Sequence, residues 1–381
     1  MEEYMTPLSI LFLTTVLPGA RGGRTGGEVV TSQVIAALRD LGHSVRVLGY
    51  GRPDYQPAEG ETLTECRHIE THNAPLQAAL WFARAFLRGR AYSIEKYRGR
   101  AYREAIANTL RERRWDRVIL DHAQTAWLLP MLSREYVVHL SHNSEAQLYA
   151  EQAASGNVLR RLAFEREAHL IRQGEKALAR TSKCLWTLTQ ANADYFRELG
   201  AESAIALPVP PMRLPDGFHP GRPEYDIGLL GTWSWGPNRA GLDWFCSKIA
   251  PLLPPALKIA IAGVGAEDLI GRFSNLSILG RVADAAEFLG KARCIAVPSV
   301  AGDGIQIKTL DAIAIGRPVV ATHHALRGIE SPPLRVRVVD APQEFAAALR
   351  EAVARPEGAT QDAWAEERRE CFRNVLKDAL A

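Results

Sequence analysis

The sequence contains little cysteine and no hydrophobic run of membrane-spanning length. Its cysteines are odd in number, scattered and never spaced as Cys-x-x-Cys, so they indicate neither a disulfide framework nor a zinc site. The apolar run from Leu8 to Val16 is too short to span a bilayer, and the residues before it are acidic, which disfavours a signal peptide. We therefore expect a protein of the reducing cytoplasm. The five cysteines are Cys66, Cys184, Cys246, Cys294 and Cys371.

Several catalytic and binding patterns are also absent. The chain has no P-loop, no Gly-x-Ser-x-Gly, no His-Glu-x-x-His and no Asp-x-Asp pair, so we expect no metal site. The first glycine-rich loop lacks Gly-x-Gly-x-x-Gly, and the next strand ends at Leu48-Gly49-Tyr50 without an acidic residue. This disfavours NAD binding and makes an oxidoreductase the weakest interpretation. The formal net charge of +3 is too small to indicate a nucleic-acid partner.

What the chain does have is a regular alternation of short apolar runs and helical patterns. Parallel strands buried on both faces read as such runs, so the alternation predicts an α/β fold with doubly wound parallel sheets. Strands are predicted at Leu8–Thr14, Ser44–Leu48, Arg117–Leu120, Tyr136–Leu140 and Cys184–Leu188, and again at Asp226–Leu230, Leu257–Ala262, Leu276–Leu279, Cys294–Val297, Val319–Ala321 and Arg335–Val339.

A proline-rich stretch divides the two series of strands. Prolines remove backbone donors and stiffen the chain, so residues 207–224 read as a linker. We therefore predict a first domain over residues 1–206 and a second over 225–355, with a ligand-binding cleft between them. A final helical pattern over 363–380 has no strand after it, and we expect it to pack back on the first domain.

The segment Gly302–Ala312 indicates the chemistry most directly. It combines a glycine loop with Lys308, Asp303 and Asp311 at a helix predicted to begin near Gly304. A helix N-terminus offers unpaired amides and a partial positive charge, and a lysine adds a full charge, so this pattern is typical of a polyanion site. Ordinary surface charges on an amphipathic helix are the alternative, and these residues alone leave both open.

Two places in the first domain also carry candidate functional residues. Gly26 and Gly27 precede a helix predicted over Glu28–Leu41, and their lack of side chains would let a ligand approach the backbone. His142 follows the strand Tyr136–Leu140, where it would donate to a sugar hydroxyl or act as a weak base. A turn without ligand is the alternative for the glycines.

Basic and aromatic residues are interleaved between Trp81 and Arg117. Such a region is typical of a surface that lies against an anionic membrane or a polyanionic acceptor, and a solvated helical face is the alternative. The hypothesis is peripheral contact through residues 81–117 at the inner face of the membrane.

Taken in order, these segments resemble the retaining GT-B glycosyltransferases of the group 1, family 4-like type. The resemblance covers most of the chain, and it is closer in the second domain. It is carried by Gly26-Gly27, Gly42–Val45, His142–Glu145 and Thr189–Asp194, and then by Gly231–Asn238, Gly280–Val282, Pro298, Gly302–Ala312 and Gly316–Thr322.

The resemblance implies two Rossmann-like domains and a nucleotide-diphosphate sugar as donor, of the UDP or GDP type, with no cofactor. It implies that Lys308 contacts the diphosphate beside the backbone of Gly304 and Ile305. The family's Glu-x7-Glu pair is replaced here by Asp303, at the place of the sugar contact, and Asp311, at the place of the ribose contact.

A second departure from the family concerns the loop after the first strand of the second domain. Where many members carry an arginine and a lysine, this chain has Trp233 and Trp235 with Pro237-Asn238, and Arg281 is a candidate substitute. The expected reaction is transfer of a sugar to an acceptor hydroxyl of a glycan, a lipid-linked compound or a small molecule, with retention of configuration. A nucleotide-sugar epimerase and a non-catalytic binding subunit are the alternatives.

Overall fold

The computed structural model describes residues 6–20, 23, 25–69, 74–154, 158–354 and 363–381. The acidic start 1–5, part of the first glycine loop (Arg21, Gly22 and Arg24) and the predicted domain end at residue 355 lie outside these ranges. The chain forms two compact units. One comprises the residues up to Val209 together with Phe372–Ala381, and the other is Pro210–Cys371.

The first unit is built on a parallel sheet of seven strands in the order β3-β2-β1-β4-β5-β6-β7. All five predicted strands are present. The two that the sequence did not predict are β3, a half-exposed edge strand without an apolar run, and β7, which has only three residues. The strands are β1 Ser9–Val16, β2 Ser44–Gly51, β3 Glu61–Cys66, β4 Arg117–Asp121, β5 Val137–Leu140, β6 Cys184–Thr187 and β7 Ala204–Ala206.

Helices connect these strands, and a 3-10 segment, Ala123–Met131, follows β4. The helices are α1 Gly26–Asp40, α2 Pro75–Leu87, α3 Tyr92–Glu95, α4 Arg100–Glu112, α5 Glu145–Ala154, α6 Val158–Thr181 and α7 Gln190–Glu198.

The second unit holds a parallel sheet of six strands in the order β10-β9-β8-β11-β12-β13. Its strands are β8 Tyr225–Leu230, β9 Ile259–Ala262, β10 Leu276–Gly280, β11 Ala292–Val297, β12 Val319–Ala321 and β13 Val336–Val338. Its helices are α8 Gly236–Trp244, α9 Ala285–Gly290, α10 Ile307–Ala314 and α11 Pro342–Ala354, and the last helix of the chain is α12 Trp364–Leu380.

The strand orders confirm the predicted fold class. In each sheet the chain winds outward from a central strand in one direction and then in the other, which is the Rossmann-like arrangement. The central strands are apolar and buried throughout, as in β5, β6 and β9, because helices cover both faces of a parallel sheet.

The end of α12 belongs to the first unit. Phe372, Leu376 and Leu380 are buried, and the Leu380 carbonyl accepts a hydrogen bond from Nη2 of Arg117 at 3.1 Å. Within the described ranges, no helix combines the length and the apolar character needed to cross a bilayer.

The five thiols are all unpaired and differ in accessibility. Cys66 and Cys371 are exposed, whereas Cys184, Cys246 and Cys294 are buried. Burial raises the pKa of Cys246 to about 11 and that of Cys294 to about 12. Because the thiolate is the reactive form, these two buried cysteines are inert packing residues.

Candidate functional site

In the second unit, two helices begin close together, and neither has a side-chain cap. Helix α10 begins at Ile307 rather than near Gly304, because Gly302 has a φ of 101° and the following backbone stays irregular. Its N-cap residue Gln306 donates its side-chain amide to the Ser299 hydroxyl instead of capping the helix. Helix α8 likewise starts without a side-chain cap after Trp235. Both ends therefore offer amides and a partial positive charge to an anion.

Lys308 joins these two helix ends. Its Nζ donates to Oδ1 of Asn238, in the first turn of α8, at 2.8 Å, and it lies 5.4 Å from the centre of the Trp233 ring. Asn238 is oriented in turn by a bond from its Nδ2 to the Thr232 carbonyl at 3.0 Å. The structure thus brings three predicted site residues, Trp233, Asn238 and Lys308, into one group.

The electrostatics of this group favour an anionic ligand. Burial and, to a smaller extent, the nearby guanidinium of Arg327 lower the pKa of Lys308 to about 8. Arg327 itself donates from Nη2 to the Gly304 carbonyl at 3.0 Å, so its charge is held beside the loop that precedes α10. Two cations close together in a partly dehydrated site repel each other, and a diphosphate would relieve that repulsion.

Asp311 binds the proline-rich segment of its own unit. Its Oδ1 accepts a hydrogen bond from the backbone amide of Met212 at 2.7 Å, so the carboxylate pins the proline-rich segment to α10. Burial raises the pKa of Asp311 to about 7, although the bond from Met212 opposes that shift. Near neutral pH this carboxyl is therefore a mixture of charged and neutral forms.

The remaining predicted residues of the second unit lie around this centre. Asp303, Gly304 and Ile305 are partly buried in the loop before α10. Burial and the positive charge of Arg327 lower the pKa of His324. The negative charge of Asp303 opposes this shift. Arg281 is exposed after β10, and no described contact joins it to Lys308 or Asn238.

Gly263 and Gly265, in the loop after β9, are at positions where a side chain would not fit. Gly263 has a φ of 111°, and a Cβ there would lie 1.7 Å from the Gly231 carbonyl oxygen. Gly265 has a φ of 94°, and its Cβ would lie 2.3 Å from the Ser234 amide. The absence of both side chains lets the loop after β9 meet the loop after β8, where the Trp233 amide donates to Val264 at 2.8 Å. The pair thereby shapes the loop that carries Trp233.

In the first unit, the two glycines of the predicted loop form the first turn of α1. Thr25 caps this helix, since its Oγ1 accepts from the Glu28 amide and donates to Glu28 Oε1 at 3.0 Å. Glu28 is buried and also binds Arg52 through two hydrogen bonds of 2.7 and 2.9 Å. This capping explains why α1 starts at Gly26, two residues before the predicted Glu28.

His142 belongs to a buried polar cluster with Asp121 and His122 at the ends of β4 and β5. Its Nε2 bonds to Oδ1 of Asp121 at 2.7 Å, and its ring stacks on that of His122 with centroids 4.0 Å apart. The other nitrogen, Nδ1, is buried without a hydrogen-bond partner in the described chain. A Cβ on Gly27 would lie 3.3 Å from Cε1 of His122 and 3.7 Å from that Nδ1, so the glycine backbone packs closely against both rings.

The rest of the cluster fixes this geometry. Oδ2 of Asp121 accepts from the hydroxyls of Thr14 and Thr31 at 2.7 and 2.8 Å. Burial would raise the pKa of Asp121, but the two imidazoles and their hydrogen bonds hold it well below its usual range. Burial lowers the pKa of His122 to about 4, so this ring is neutral at neutral pH.

Sequence reasoning identified His142 but missed Asp121 and His122. The available signal was their position at the carboxyl end of an apolar strand. Ligands of open α/β sheets bind at such strand ends, so polar residues there are candidates for a site. His122 also has a φ of 69° and a ψ of 145°, a strained combination for a residue with a side chain. Such strain is typical of functional positions.

The cluster has the composition of a metal site, since one ligand atom from each of Asp121, His122 and His142 lies within 4.8 Å of the others. The ring geometry favours a hydrogen-bonded Asp–His pair instead. An imidazole nitrogen binds a metal in the plane of its ring, and these two rings are inclined by only 16°. Two stacked, nearly parallel planes do not meet within bonding distance of both nitrogens.

Two family models match the chain in succession. Residues 25–211 match the glycosyl transferase 4-like domain, and residues 224–355 match the glycosyl transferases group 1 domain. The chain belongs to the GT-B glycosyltransferases. No curated protein matches its sequence significantly.

Solved structures support this GT-B glycosyltransferase fold along nearly the whole chain. HepE from Anabaena, in complex with UDP and glucose, aligns with a TM-score of 0.60 and 15% identity over 98% of this chain and 99% of that one. WaaG, a glycosyltransferase involved in lipopolysaccharide biosynthesis, aligns with a TM-score of 0.62 and 18% identity over 97% and 98%. Starch synthase IV from Arabidopsis thaliana, bound to ADP and acarbose, aligns with a TM-score of 0.59 and 13% identity over 97% and 95%. At these identities the likeness concerns the fold of the glycosyltransferase.

Substitutions at Asp311 test the bond to Met212. Asp311→Asn keeps an acceptor for the Met212 amide, whereas Asp311→Ala removes it, so we expect the alanine variant to be less stable than the asparagine variant by about 1 kcal/mol. Because the folded-state pKa of Asp311 is raised to about 7, its contribution to stability is largest at low pH and is lost as the pH rises through 7.

The stability of Asp311→Asn relative to the wild type should therefore increase from about pH 5 to about pH 8. Chemical unfolding of the three proteins at both pH values measures these differences. A pH-independent difference between Asp311→Asn and the wild type would contradict the raised pKa.

Proposed function

We propose that this glycosyltransferase moves a sugar from a nucleotide-diphosphate donor to an acceptor hydroxyl with retention of anomeric configuration. The observation that carries the proposal is the Lys308 ammonium, partly buried between two uncapped helix ends and beside Arg327, with Asn238 as a neutral partner. A diphosphate would give the Lys308 ammonium an anionic partner beside the neutral oxygen of Asn238. A UDP-type donor is the first choice because HepE was solved with UDP and with UDP-glucose.

In this proposal the protein promotes departure of the nucleoside diphosphate. Negative charge grows on the leaving phosphate as the bond to the sugar breaks, and Lys308, Arg327 and the amides of α8 and α10 are already oriented to receive it. The phosphate itself would take the proton of the acceptor hydroxyl, so retention needs no protein nucleophile. In this proposal the lysine, the arginine and the helix amides stabilise the charge of the leaving diphosphate, and no metal ion is needed.

The ribose and the sugar would be placed by Asp311 and Asp303. Asp311 lies one helical turn after Lys308 on α10, and its carboxyl is already engaged with Met212, so a ribose hydroxyl would share that group or replace the amide. Asp303 precedes the helix and would contact the sugar beyond the diphosphate. Gly304 and Ile305 would contribute the backbone between them.

In the first unit, Gly26, Gly27 and His142 are proposed to receive a sugar hydroxyl. Asp121 holds the proton of His142 on Nε2, which leaves Nδ1 as an acceptor on the side of Gly27. A hydroxyl placed there would satisfy a buried nitrogen that otherwise has no partner, and burial of such an atom without a partner is unfavourable. Asp121 thus acts as a positioning residue for His142.

The transfer reaction itself is tested by incubating the metal-free protein with UDP-, GDP-, ADP- and dTDP-sugars and a panel of hydroxyl acceptors. NMR of the isolated glycoside reads its anomeric configuration. An inverted product would refute retention, and an isomerised donor in the absence of acceptor would indicate an epimerase. Binding without transfer over the whole panel would indicate a non-catalytic subunit.

Lys308→Ala tests the diphosphate contact. Loss of a charge-assisted hydrogen bond costs about 1.5–3 kcal/mol, so we expect the UDP dissociation constant to rise roughly tenfold to a hundredfold. Isothermal titration calorimetry measures it, and the exposed Lys248→Ala in the same unit is the control. UDP binding of Lys308→Ala equal to that of the control would remove Lys308 from the site.

The pH dependence of UDP binding gives a second test. Only the protonated Lys308 attracts the diphosphate, and its pKa in the free protein is lowered to about 8, so wild-type affinity should fall as the pH rises above that value. The Lys308→Ala variant should lack this fall. An equal slope in both proteins would assign it to another group.

Substitutions of the Asp–His pair test the first unit. His142→Ala removes the acceptor nitrogen, and Asp121→Asn removes the group that fixes the tautomer, so each should lower kcat/KM by roughly tenfold or more. Both should leave the UDP dissociation constant unchanged, because the residues of the diphosphate site are untouched. His139→Gln, at a buried histidine of β5 outside the pair, controls for general loss of packing. An activity loss matched by a loss of UDP affinity would contradict this division of roles.

A further inference from the structure

One surface of the first unit exposes a continuous set of large apolar side chains. Half of the sixteen large hydrophobic side chains that are exposed in the described ranges lie on α2 and on the first residues of α6. They are Leu76, Leu80, Phe82, Phe86 and Leu87 of α2 and Val158, Leu159 and Leu162 of α6, and together they are called the α2/α6 face. Their exposures range from 54% to 83%.

Helix α2 is apolar on both of its sides. Trp81 and Ala85 point into the unit and are buried, which is the ordinary apolar stripe of a surface helix. The opposite side should then be polar, but Leu76, Leu80 and Leu87 recur there at helical spacing and are 83%, 58% and 83% exposed. A helix that is hydrophobic all round is normally covered by protein or lipid.

The two helices of the face are in direct contact. Arg166 of α6 lies over the Phe86 ring at 5.4 Å and donates from Nη2 to the Ala85 carbonyl at 3.3 Å. Leu162 and Leu159 lie about one and two turns before Arg166 on the same side of α6, so they extend the apolar surface of α2. The Phe164 ring stacks on Tyr149 of α5 with centroids 6.0 Å apart, which holds this end of α6 in place.

The charges around the face are almost all positive. Residues 75–90 contain Arg84, Arg88 and Arg90 and no acidic residue. At the start of α6, residues 158–166 contain Arg160, Arg161 and Arg166 and one acidic residue, Glu165, which pairs with Arg161 at 2.7 Å. Arg88 and Arg90 share the single buried carboxylate of Glu95 with Arg98, so an excess of positive charge remains.

We propose that the α2/α6 face docks on an anionic lipid bilayer. Protruding leucine and phenylalanine side chains enter the interface between headgroups and acyl chains. The arginines around them pair with the negatively charged lipid phosphates. An anionic bilayer matches this combination because it presents an apolar interior and negatively charged headgroups over the whole area of the face. The interpretation is independent of the sugar-transfer chemistry, since none of these residues belongs to the proposed donor site.

The structure also relocates the surface that the sequence suggested over residues 81–117. Of the aromatic residues in that region, Trp81 and Tyr102 are buried in the core, whereas Phe82 and Phe86 are exposed. The start of α6, which is 70 residues later in the chain, had no place in the sequence-based hypothesis. Helix packing brings it beside α2.

Vesicle flotation of the full chain tests the proposal. We expect binding to phosphatidylcholine vesicles containing phosphatidylglycerol to be roughly tenfold tighter than to pure phosphatidylcholine, and to weaken as salt is added. The double variant Leu87→Glu with Leu159→Glu should bind at least roughly tenfold more weakly, because two exposed apolar anchors are replaced by anions. Both positions are at least 80% exposed, so the fold should tolerate the changes.

The matched control is Ile270→Glu with Leu334→Glu, two exposed apolar side chains of the second unit, which should bind vesicles like the wild type. Unchanged UDP affinity and circular dichroism in both variants separate docking from the proposed transferase function. Absence of wild-type binding to either vesicle type, or equal binding by Leu87→Glu with Leu159→Glu, would overturn the proposal. A wild-type dimer that this variant dissociates, without vesicle binding, would assign the face to a second copy of the chain.

Discussion

The bond between Lys308 and Asn238 is the interaction on which the second-unit site depends. It ties the start of α10 to the start of α8, so that two helix ends with positive partial charge are held together although like charges repel. Asn238 offers a neutral oxygen where a carboxylate would neutralise the lysine. The ammonium therefore keeps its charge for a ligand. Lys308, Arg327 and the helix ends repel one another, and an anion bound among them would be attracted by all of them.

The fold could be predicted from the sequence because its physical signals are local. Parallel strands covered on both faces are apolar runs such as those of β6 and β9, and each is punctuated by turn residues. The edge strand β3, Glu61–Cys66, escaped notice because four of its six side chains are polar and the other two, Leu63 and Cys66, are exposed. Its position is set by pairing with β2, which no local pattern records.

The candidate site was predictable only in part, because motifs name residues but not their partners. Lys308 and Asn238 stand 70 positions apart, and only the folded sheet brings them within hydrogen-bond distance. The pairing of Asp121 with His142 arises in the same way, from two adjacent strands that end at the same level. The bond between Asp311 and Met212 was not predictable, because it needs a backbone amide from a segment whose proline content says only that it is irregular.

The distribution of the thiols gives this molecule a built-in pair of reporter positions. Cys66 and Cys371 are accessible and lie in different units, whereas the other three cysteines are buried. Maleimide dyes would therefore attach at one place in each unit of the natural chain, without adding or deleting a cysteine. One dye would then report on the edge strand β3 and the other on α12, next to the buried Phe372.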